Sequence, residues 1–186
     1  SGAALGNPEL EKAVHDTGSP ELTSVLKWSK DVNKAVASTV KNLPPFKWVR
    51  ESLEKISRNS DAICVSQTPA EALIREWQEN DLTKFVKFIA GQELGTKTEH
   101  IDRAAGGKYP PNKILMIGDA LGDLRAARAN NALFYPVNPA SETASWERFY
   151  KEAYDKFLDE TYAGTYEQEL IAAFEKLLPE KPDWIP

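Results

Sequence analysis

Two aspartates, Asp119 and Asp123, follow an apolar run and stand four positions apart. The run from Lys113 to Ile117 predicts a buried strand, and a helix is predicted to begin near Leu121, so both carboxylates fall on one strand-to-helix turn. There they can reach one hard cation such as Mg²⁺, which proteins hold with one or two carboxylates, phosphate oxygens and water. The spacing therefore predicts a magnesium site, although Asp123 could instead cap its helix.

Ser66 and Lys97 are the candidate phosphate ligands. Ser66 ends the short apolar run Ile63-Cys64-Val65, where its hydroxyl and the backbone amides of the Ser66-Gln67 turn can donate to a phosphoryl oxygen. Lys97 falls in the predicted first turn of a helix, where a cation opposes the helix dipole by about 0.3–1 kcal/mol unless an anion compensates it. The alternatives are an ordinary turn serine and a solvated surface lysine.

These residues depend on a predicted order of strands and helices. Apolar runs alternate with helical patterns, which indicates an α/β protein with a parallel sheet. The predicted strands cover residues 62–65, 85–90, 113–117 and 132–136. Capping boxes of the form Thr-x-x-Glu are predicted at Thr68 and Thr96. Because ligands of such sheets collect beyond the carboxyl ends of the strands, Ser66 and Asp119 are expected at one edge.

The flanking segments are predicted to be helical. Apolar side chains recur at helical spacing up to about Val40, and Pro44-Pro45 then ends that pattern. Two further helices are predicted near Glu142 to Leu158 and Tyr166 to Leu178, before a proline-rich tail. We therefore divide the chain into a helical segment, an α/β core and a C-terminal helical extension that packs on the core, at residues 1–43, 44–138 and 139–186.

Composition narrows the possible partners. Lys and Arg number 23 against 28 Asp and Glu, without a basic block, so no nucleic-acid partner is predicted. The apolar stretches are far shorter than the roughly 20 residues of a membrane helix, so no membrane span is predicted. The single cysteine, Cys64, cannot form an internal disulfide, which favours a cytoplasmic location. The two histidines, His15 and His100, lie too far apart to predict a zinc site.

Taken in order, the motifs resemble those of the haloacid dehalogenase (HAD) superfamily. Ser66 resembles the second motif of that family, Lys97 the third, and the segment from Ile117 to Asp123 the fourth. The resemblance covers about residues 46 to 138, and it implies a three-layer, Rossmann-like core. By the same analogy, residues 1 to 43 resemble the end of a helical cap domain.

What the resemblance implies is phosphatase chemistry. HAD-type enzymes hydrolyse phosphate monoesters through an aspartyl-phosphate, with Mg²⁺ screening the charge. Ser66, Gln67 and Lys97 would hold the phosphoryl group of a small phosphorylated substrate, with Lys97 counted as catalytic. Asp119 and Asp123 would lie near the metal.

The family motif that carries the nucleophile is absent. No Asp-x-Asp occurs in the 186 residues, and no apolar strand precedes the first helices. In the family that strand is central, so its loss would leave unpaired backbone groups, each costing on the order of 1–3 kcal/mol if buried. We therefore expect a truncated form, by design or by proteolysis, that shows no turnover alone. Direct pairing of the two neighbouring strands, an N-terminal segment or a partner chain would fill the gap.

Two other interpretations stay open. One is a non-catalytic binding or interaction protein on a degenerate HAD scaffold, with its final helices as the docking surface. The other is a receiver-like or flavodoxin-like α/β domain, which would need an acidic cluster after its first strand. The predicted strands offer no such cluster, so the first alternative is the stronger one.

Overall fold

The computed structural model describes residues 6–39, 41 and 43–178. Its helices are α1 (Asn7–Thr17), α2 (Pro20–Thr39), α3 (Val49–Asn59), α4 (Ala70–Glu79), α5 (Lys97–Ala105), α6 (Leu121–Ala129), α7 (Glu142–Arg148), α8 (Tyr154–Leu158) and α9 (Thr165–Glu175). Its strands are β1 (Ile63–Val65), β2 (Phe88–Ala90), β3 (Leu115–Gly118) and β4 (Leu133–Pro136). Val40 and the proline-rich tail beyond Leu178, both named in the sequence predictions, lie outside the described residues.

The strands form two separate parallel pairs. β1 pairs with β2 in the register Ile63 to Phe88, and β3 pairs with β4 in the register Leu115 to Leu133. The α/β class and the parallel pairing are confirmed. Within the described residues, however, β1 and β3 do not pair with each other, and no strand lies between them. Of the ways considered for filling the gap, direct pairing of the two strands is therefore wrong.

Local boundaries differ from the predictions where tertiary contacts intervene. The predicted strand at 85–90 is shortened to β2, because a 3-10 turn at Thr83–Phe85 places Phe85 against the core. The capping box at Thr96 is confirmed: the Thr96 N–H donates to Glu99 Oε2 at 2.7 Å, and the Glu99 N–H donates to Thr96 Oγ1 at 3.3 Å.

The capping box at Thr68 is wrong. Pro69 is the cap of α4, and it makes no side-chain hydrogen bond to that helix. The first N–H of the helix, on Ala70, donates instead to Glu93 Oε2 at 3.1 Å. The Glu93 carboxylate, from the loop after β2, therefore replaces Thr68 as the hydrogen-bond acceptor at the start of α4.

Helices cover both faces of the β3–β4 pair. One buried cluster joins α3 to the α7–α8 segment across Tyr135, and it includes Ile56 and Phe149. The other joins α5, α6 and α9 across Met116 and Phe134. Because successive residues of a strand point to opposite faces, Phe134 and Tyr135 fall in different clusters.

The expected N-terminal helical segment consists of α1 and α2, which pack against each other. Ser29 Oγ donates to Asn7 Oδ1 at 2.7 Å, and Lys30 pairs with Glu11 at the same distance. Apolar side chains recur along one side of α2 and stay exposed to solvent: Val25, Trp28, Val32 and Val36. None of the described helices is both long enough and apolar enough to cross a membrane.

The outer edge of β4 is closed by side chains. The Phe134 N–H donates to Glu167 Oε1 at 2.8 Å, and the Tyr162 hydroxyl donates to the Phe134 carbonyl at 2.7 Å. Pro136 has no N–H to satisfy, as suits a residue at a sheet edge. The chain thereby protects this edge from pairing with another strand.

Glu167→Ala is expected to lower the free energy of unfolding by about 1–3 kcal/mol, because the buried Phe134 N–H loses its acceptor. Glu167→Gln keeps an acceptor oxygen and should cost less. Urea unfolding followed by circular dichroism measures both changes, and Glu169→Ala, at an exposed position of the same helix, is the control. Equal stability of Glu167→Ala and Glu169→Ala would show that the contact does not matter.

Candidate functional site

Lys97 and Asp123 meet in an ion pair. Lys97 is the first residue of α5, Asp123 lies in the first turn of α6, and 26 positions separate them in the chain. The Asp123 side chain is 1% exposed and that of Lys97 is 25% exposed. The contact explains how α5 tolerates a cation at its N-terminus, because the carboxylate compensates the unfavourable interaction with the helix dipole.

The second carboxylate oxygen of Asp123 holds the backbone of the turn. Asp123 Oδ2 accepts hydrogen bonds from the Asp119 and Ala120 N–H groups, both at 3.2 Å. Asp123 therefore caps the start of α6, as the alternative interpretation proposed, while its other oxygen binds Lys97. Glycine is required at 118, because a Cβ there would overlap the Asp123 side chain.

Asp119 differs from Asp123 in having free carboxylate oxygens. It follows β3 directly and is exposed, and its side chain makes no hydrogen bond or ion pair with the described residues. Among these residues no three His, Cys, Asp or Glu side chains converge as metal ligands. A cation at this turn would therefore take Asp119 as its protein carboxylate and complete its coordination with water and ligand oxygens.

Hydrogen bonds hold the Ser66-Gln67 turn against β2 and against the loop that precedes Lys97. The Ser66 N–H donates to the Ala90 carbonyl at 2.9 Å, and Ser66 Oγ accepts from the Thr68 N–H at 3.1 Å. Like an ordinary turn serine, Ser66 thus accepts a hydrogen bond through its hydroxyl oxygen. Its O–H remains available as a donor. The Gln67 side-chain amide donates to the Gly95 carbonyl at 3.2 Å.

Contacts therefore connect the three segments that carry the predicted site residues. We call the segments 66–68, 95–97 and 119–123 the carboxyl-end loops, since two of them follow β1 and β3. The Gln67 contact joins the first segment to the second, and the Lys97 ion pair joins the second to the third. The three segments carry the Ser66 hydroxyl, the Gln67 amide, the Lys97 ammonium and the free Asp119 carboxylate.

A cavity of about 1490 Å³ separates the two strand pairs. Its walls include Ile63, Cys64 and Val65 of β1, all of β3, and Asp119 at its carboxyl end. We call it the interstrand cavity. Its volume exceeds the roughly 300–1,000 Å³ of ordinary small-molecule sites.

Two residues on the wall of the interstrand cavity carry no motif that sequence reasoning could use. Burial raises the pKa of the Cys64 thiol to about 11, although nearby Lys97 partly opposes the shift. His100 is 5% exposed, and neither ring nitrogen makes a hydrogen bond of normal geometry, although the Leu94 carbonyl lies near enough to favour its charged form. Burial lowers the pKa of His100. Both residues gain interest only because distant elements bring them to one cavity.

Alkylation of Cys64 by iodoacetamide is expected to accelerate about tenfold per pH unit between pH 7 and 10, because only the thiolate reacts. Cys64 is the only cysteine, so mass spectrometry of the intact protein reports its rate directly. Lys97→Met removes a cation that lowers this pKa and should slow the reaction at each pH, whereas Lys108→Met should not. A rate that levels off below pH 9 would contradict the expected thiol pKa.

Comparison with known proteins assigns neither a family nor a function to the chain. No family model matches the chain, and no match to it was found among curated proteins or solved structures. The interpretation of this site therefore rests on the geometry of its own residues.

Proposed function

We propose that this chain carries the phosphate- and cation-binding part of a HAD-type, Mg²⁺-dependent phosphohydrolase with a Rossmann-like core. The supporting observation is the Lys97–Asp123 ion pair, formed between two helix starts beside the ends of β1 and β3. An ammonium has three donors, so Lys97 can bind Asp123 and still donate to a phosphoryl oxygen. Its partial exposure leaves that approach open.

Three donors would hold the phosphoryl group. The Ser66 hydroxyl has its oxygen fixed by the Thr68 N–H, which leaves its proton free to donate. Because the Gln67 side chain is engaged by Gly95, Gln67 would contribute its backbone N–H. Lys97 would supply the positive charge, and a charge-assisted hydrogen bond of this kind is about twice as strong as a neutral one.

Asp119 and Asp123 would have different roles. Asp119 fits Mg²⁺, which usually keeps several waters and takes only one or two protein carboxylates besides phosphate oxygens. When bound, the ion would screen the charge on the phosphoryl oxygens. Asp123 has both oxygens bound to protein donors, so we assign it the positioning of Lys97 and of the Asp119 backbone.

The sequence contains no Asp-x-Asp that would supply a nucleophile. We therefore propose that the chain binds a small phosphorylated compound without hydrolysing it, unless the nucleophile is provided from elsewhere. We also propose a cytoplasmic location for the protein, because the free thiol of Cys64 suits a reducing compartment.

Inorganic phosphate added with Mg²⁺ is expected to shift the amide resonances of residues 66–68 and 119–120 in a titration followed by nuclear magnetic resonance. Lys97→Met should weaken phosphate affinity about tenfold or more, because the ammonium is lost. Ser66→Ala should give a smaller loss while keeping the fold. Lys108→Met removes the same charge beyond the other end of α5 and is the control. Equal affinity in Lys97→Met and Lys108→Met would refute the proposed phosphate site.

One observation favours a non-catalytic binding protein as the second candidate. Asp123, expected near a metal, already satisfies both of its oxygens within the protein. Asp119→Asn separates the two candidates, because it should abolish the effect of Mg²⁺ on phosphate affinity if Asp119 holds the ion. Phosphate affinity that is indifferent to Mg²⁺ in the unmodified protein would favour the binding role.

A further inference from the structure

Arg125 is an exposed arginine of α6 that has no partner in the described part of the chain. Its side chain makes no hydrogen bond, ion pair or cation–π contact with the described residues. Arg128, one turn further along the same helix, instead pairs with Glu175 at 3.7 Å. The protein therefore holds one arginine of α6 with a carboxylate and leaves the guanidinium donors of the other free.

The guanidinium of Arg125 lies over the first turn of α6. A Cβ built on Gly122 would have Arg125 Nη2 as its only neighbour within 4 Å, at a distance of 3.9 Å. Side chains of a helix tilt toward its N-terminus, so the arginine reaches back along α6. Gly122 belongs to the carboxyl-end loops, and the next residue, Asp123, binds Lys97. The free guanidinium therefore lies next to the loop that positions the proposed phosphate ligand.

This position is unfavourable for a cation unless an anion compensates it. A positive charge near the start of a helix opposes the helix dipole. Lys97 has the same problem at the start of α5, and there Asp123 compensates its charge. Asp123 does not also serve Arg125, because one of its oxygens binds Lys97 and the other accepts two backbone N–H groups. Within the described residues, no carboxylate pairs with Arg125.

Gly122 keeps the surface beside Arg125 open. Unlike Gly118, where a Cβ would overlap Asp123, Gly122 has room for a side chain. Its φ angle is not positive, so its backbone conformation does not require glycine either. Glycine is less favourable than alanine in a helix, because it loses more conformational freedom on folding. The packing therefore gives no reason for glycine at this position, whereas close approach of a ligand to the backbone gives one.

We propose that Arg125 is a specificity-determining residue that binds a second anionic group on the ligand of the carboxyl-end loops. This inference rests on the proposed phosphate site and adds the class of ligand: a small phosphorylated compound with a further anionic group. That group is a carboxylate or another phosphate, since the planar guanidinium donates two parallel hydrogen bonds to either.

One small molecule can meet both cations. Lys97 binds Asp123, Arg125 lies over Gly122, and the Cα atoms of consecutive residues are only about 3.8 Å apart. A short aliphatic linker therefore suffices to join a phosphoryl group at Lys97 to an anionic group at Arg125. The absence of a side chain at Gly122 leaves room for that linker.

Three phosphonates, which are not hydrolysed, test the assignment. Butylphosphonate carries one anionic group, 4-phosphonobutyrate adds a carboxylate, and propane-1,3-bisphosphonate adds a second phosphonate. Binding to the full chain in the presence of Mg²⁺ is measured by isothermal titration calorimetry. At least one of the two-anion compounds should bind about tenfold more tightly than butylphosphonate, and the tighter of the two identifies the second group. Equal affinity for all three is the behaviour of an ordinary solvated arginine and would overturn the inference.

Variants of the two α6 arginines locate the second contact. The readout is the ratio of two-anion to one-anion affinity, because a general effect of charge on phosphonate binding largely cancels in it. Arg125→Met should remove the tenfold advantage, and Arg125→Lys should keep only part of it, because lysine lacks the bidentate fork. Arg128→Met removes the same charge from the same helix and should keep the advantage. An advantage that survives in Arg125→Met would assign the second group to another residue.

Gly122→Ala tests the close approach of the ligand. Alanine favours the helix, so the variant should unfold at a higher temperature than the unmodified protein. Its methyl group should nevertheless weaken binding of the preferred two-anion compound about threefold or more, because it occupies the path of the linker. Unchanged affinity in a folded Gly122→Ala variant would contradict the proposed approach.

The same measurements separate this inference from the proposed phosphate site. If butylphosphonate binds and Lys97→Met weakens its binding about tenfold or more, the phosphate site stands whatever the result for Arg125. If Lys97→Met binds butylphosphonate as tightly as the unmodified protein does, the phosphate site fails and the assignment of Arg125 fails with it.

Discussion

The Lys97–Asp123 ion pair is the contact on which the arrangement of the carboxyl-end loops depends. It joins the starts of α5 and α6, and through the second oxygen of Asp123 it fixes the backbone that follows β3. Breaking a buried pair by removing one partner typically costs about 3–5 kcal/mol, because a charge is left without compensation. Here the aspartate is buried while the lysine reaches solvent, so the pair keeps one side open to a ligand.

Structural and chemical roles coincide in these loops. Asp123 caps a helix, and the same carboxylate orients the lysine that we propose for phosphate binding. Ser66 closes a local turn, yet the bond that it accepts leaves its proton unused. The purely structural role of each residue therefore describes how its side chain is held in place. That role is compatible with binding a ligand.

Local patterns predicted local structure well. The start of α6 at Leu121 and the Thr96 capping box follow from residues within one turn of each other, and both are found in the structure. The Thr68 box failed because the competing acceptor, Glu93, arrives from 23 positions away. Strand pairing is equally non-local: the apolar runs showed where strands form, but the separation into two pairs depends on contacts that no short segment encodes.

For the same reason, the sequence did not predict which residues line the interstrand cavity. His100 and Cys64 carry no motif, and their surroundings come from elements separated along the chain. Their burial, and hence the pKa shifts of both side chains, is a property of the assembled fold. The candidate site residues, in contrast, could be proposed from the sequence because they stand in turns after predicted strands, where backbone N–H groups can bind an anion.

The absence of backbone hydrogen bonds between β1 and β3 has a mechanical consequence. The two halves of the molecule are joined by side-chain packing, which resists sliding far less than a continuous hydrogen-bonded ladder does. In the described core no backbone ladder therefore fixes the spacing of β1 and β3, and the same spacing separates the loops bearing Ser66 and Asp119. The loops bearing Ser66 and Asp119 therefore keep their relative positions through the Gln67–Gly95 hydrogen bond and the Lys97–Asp123 ion pair.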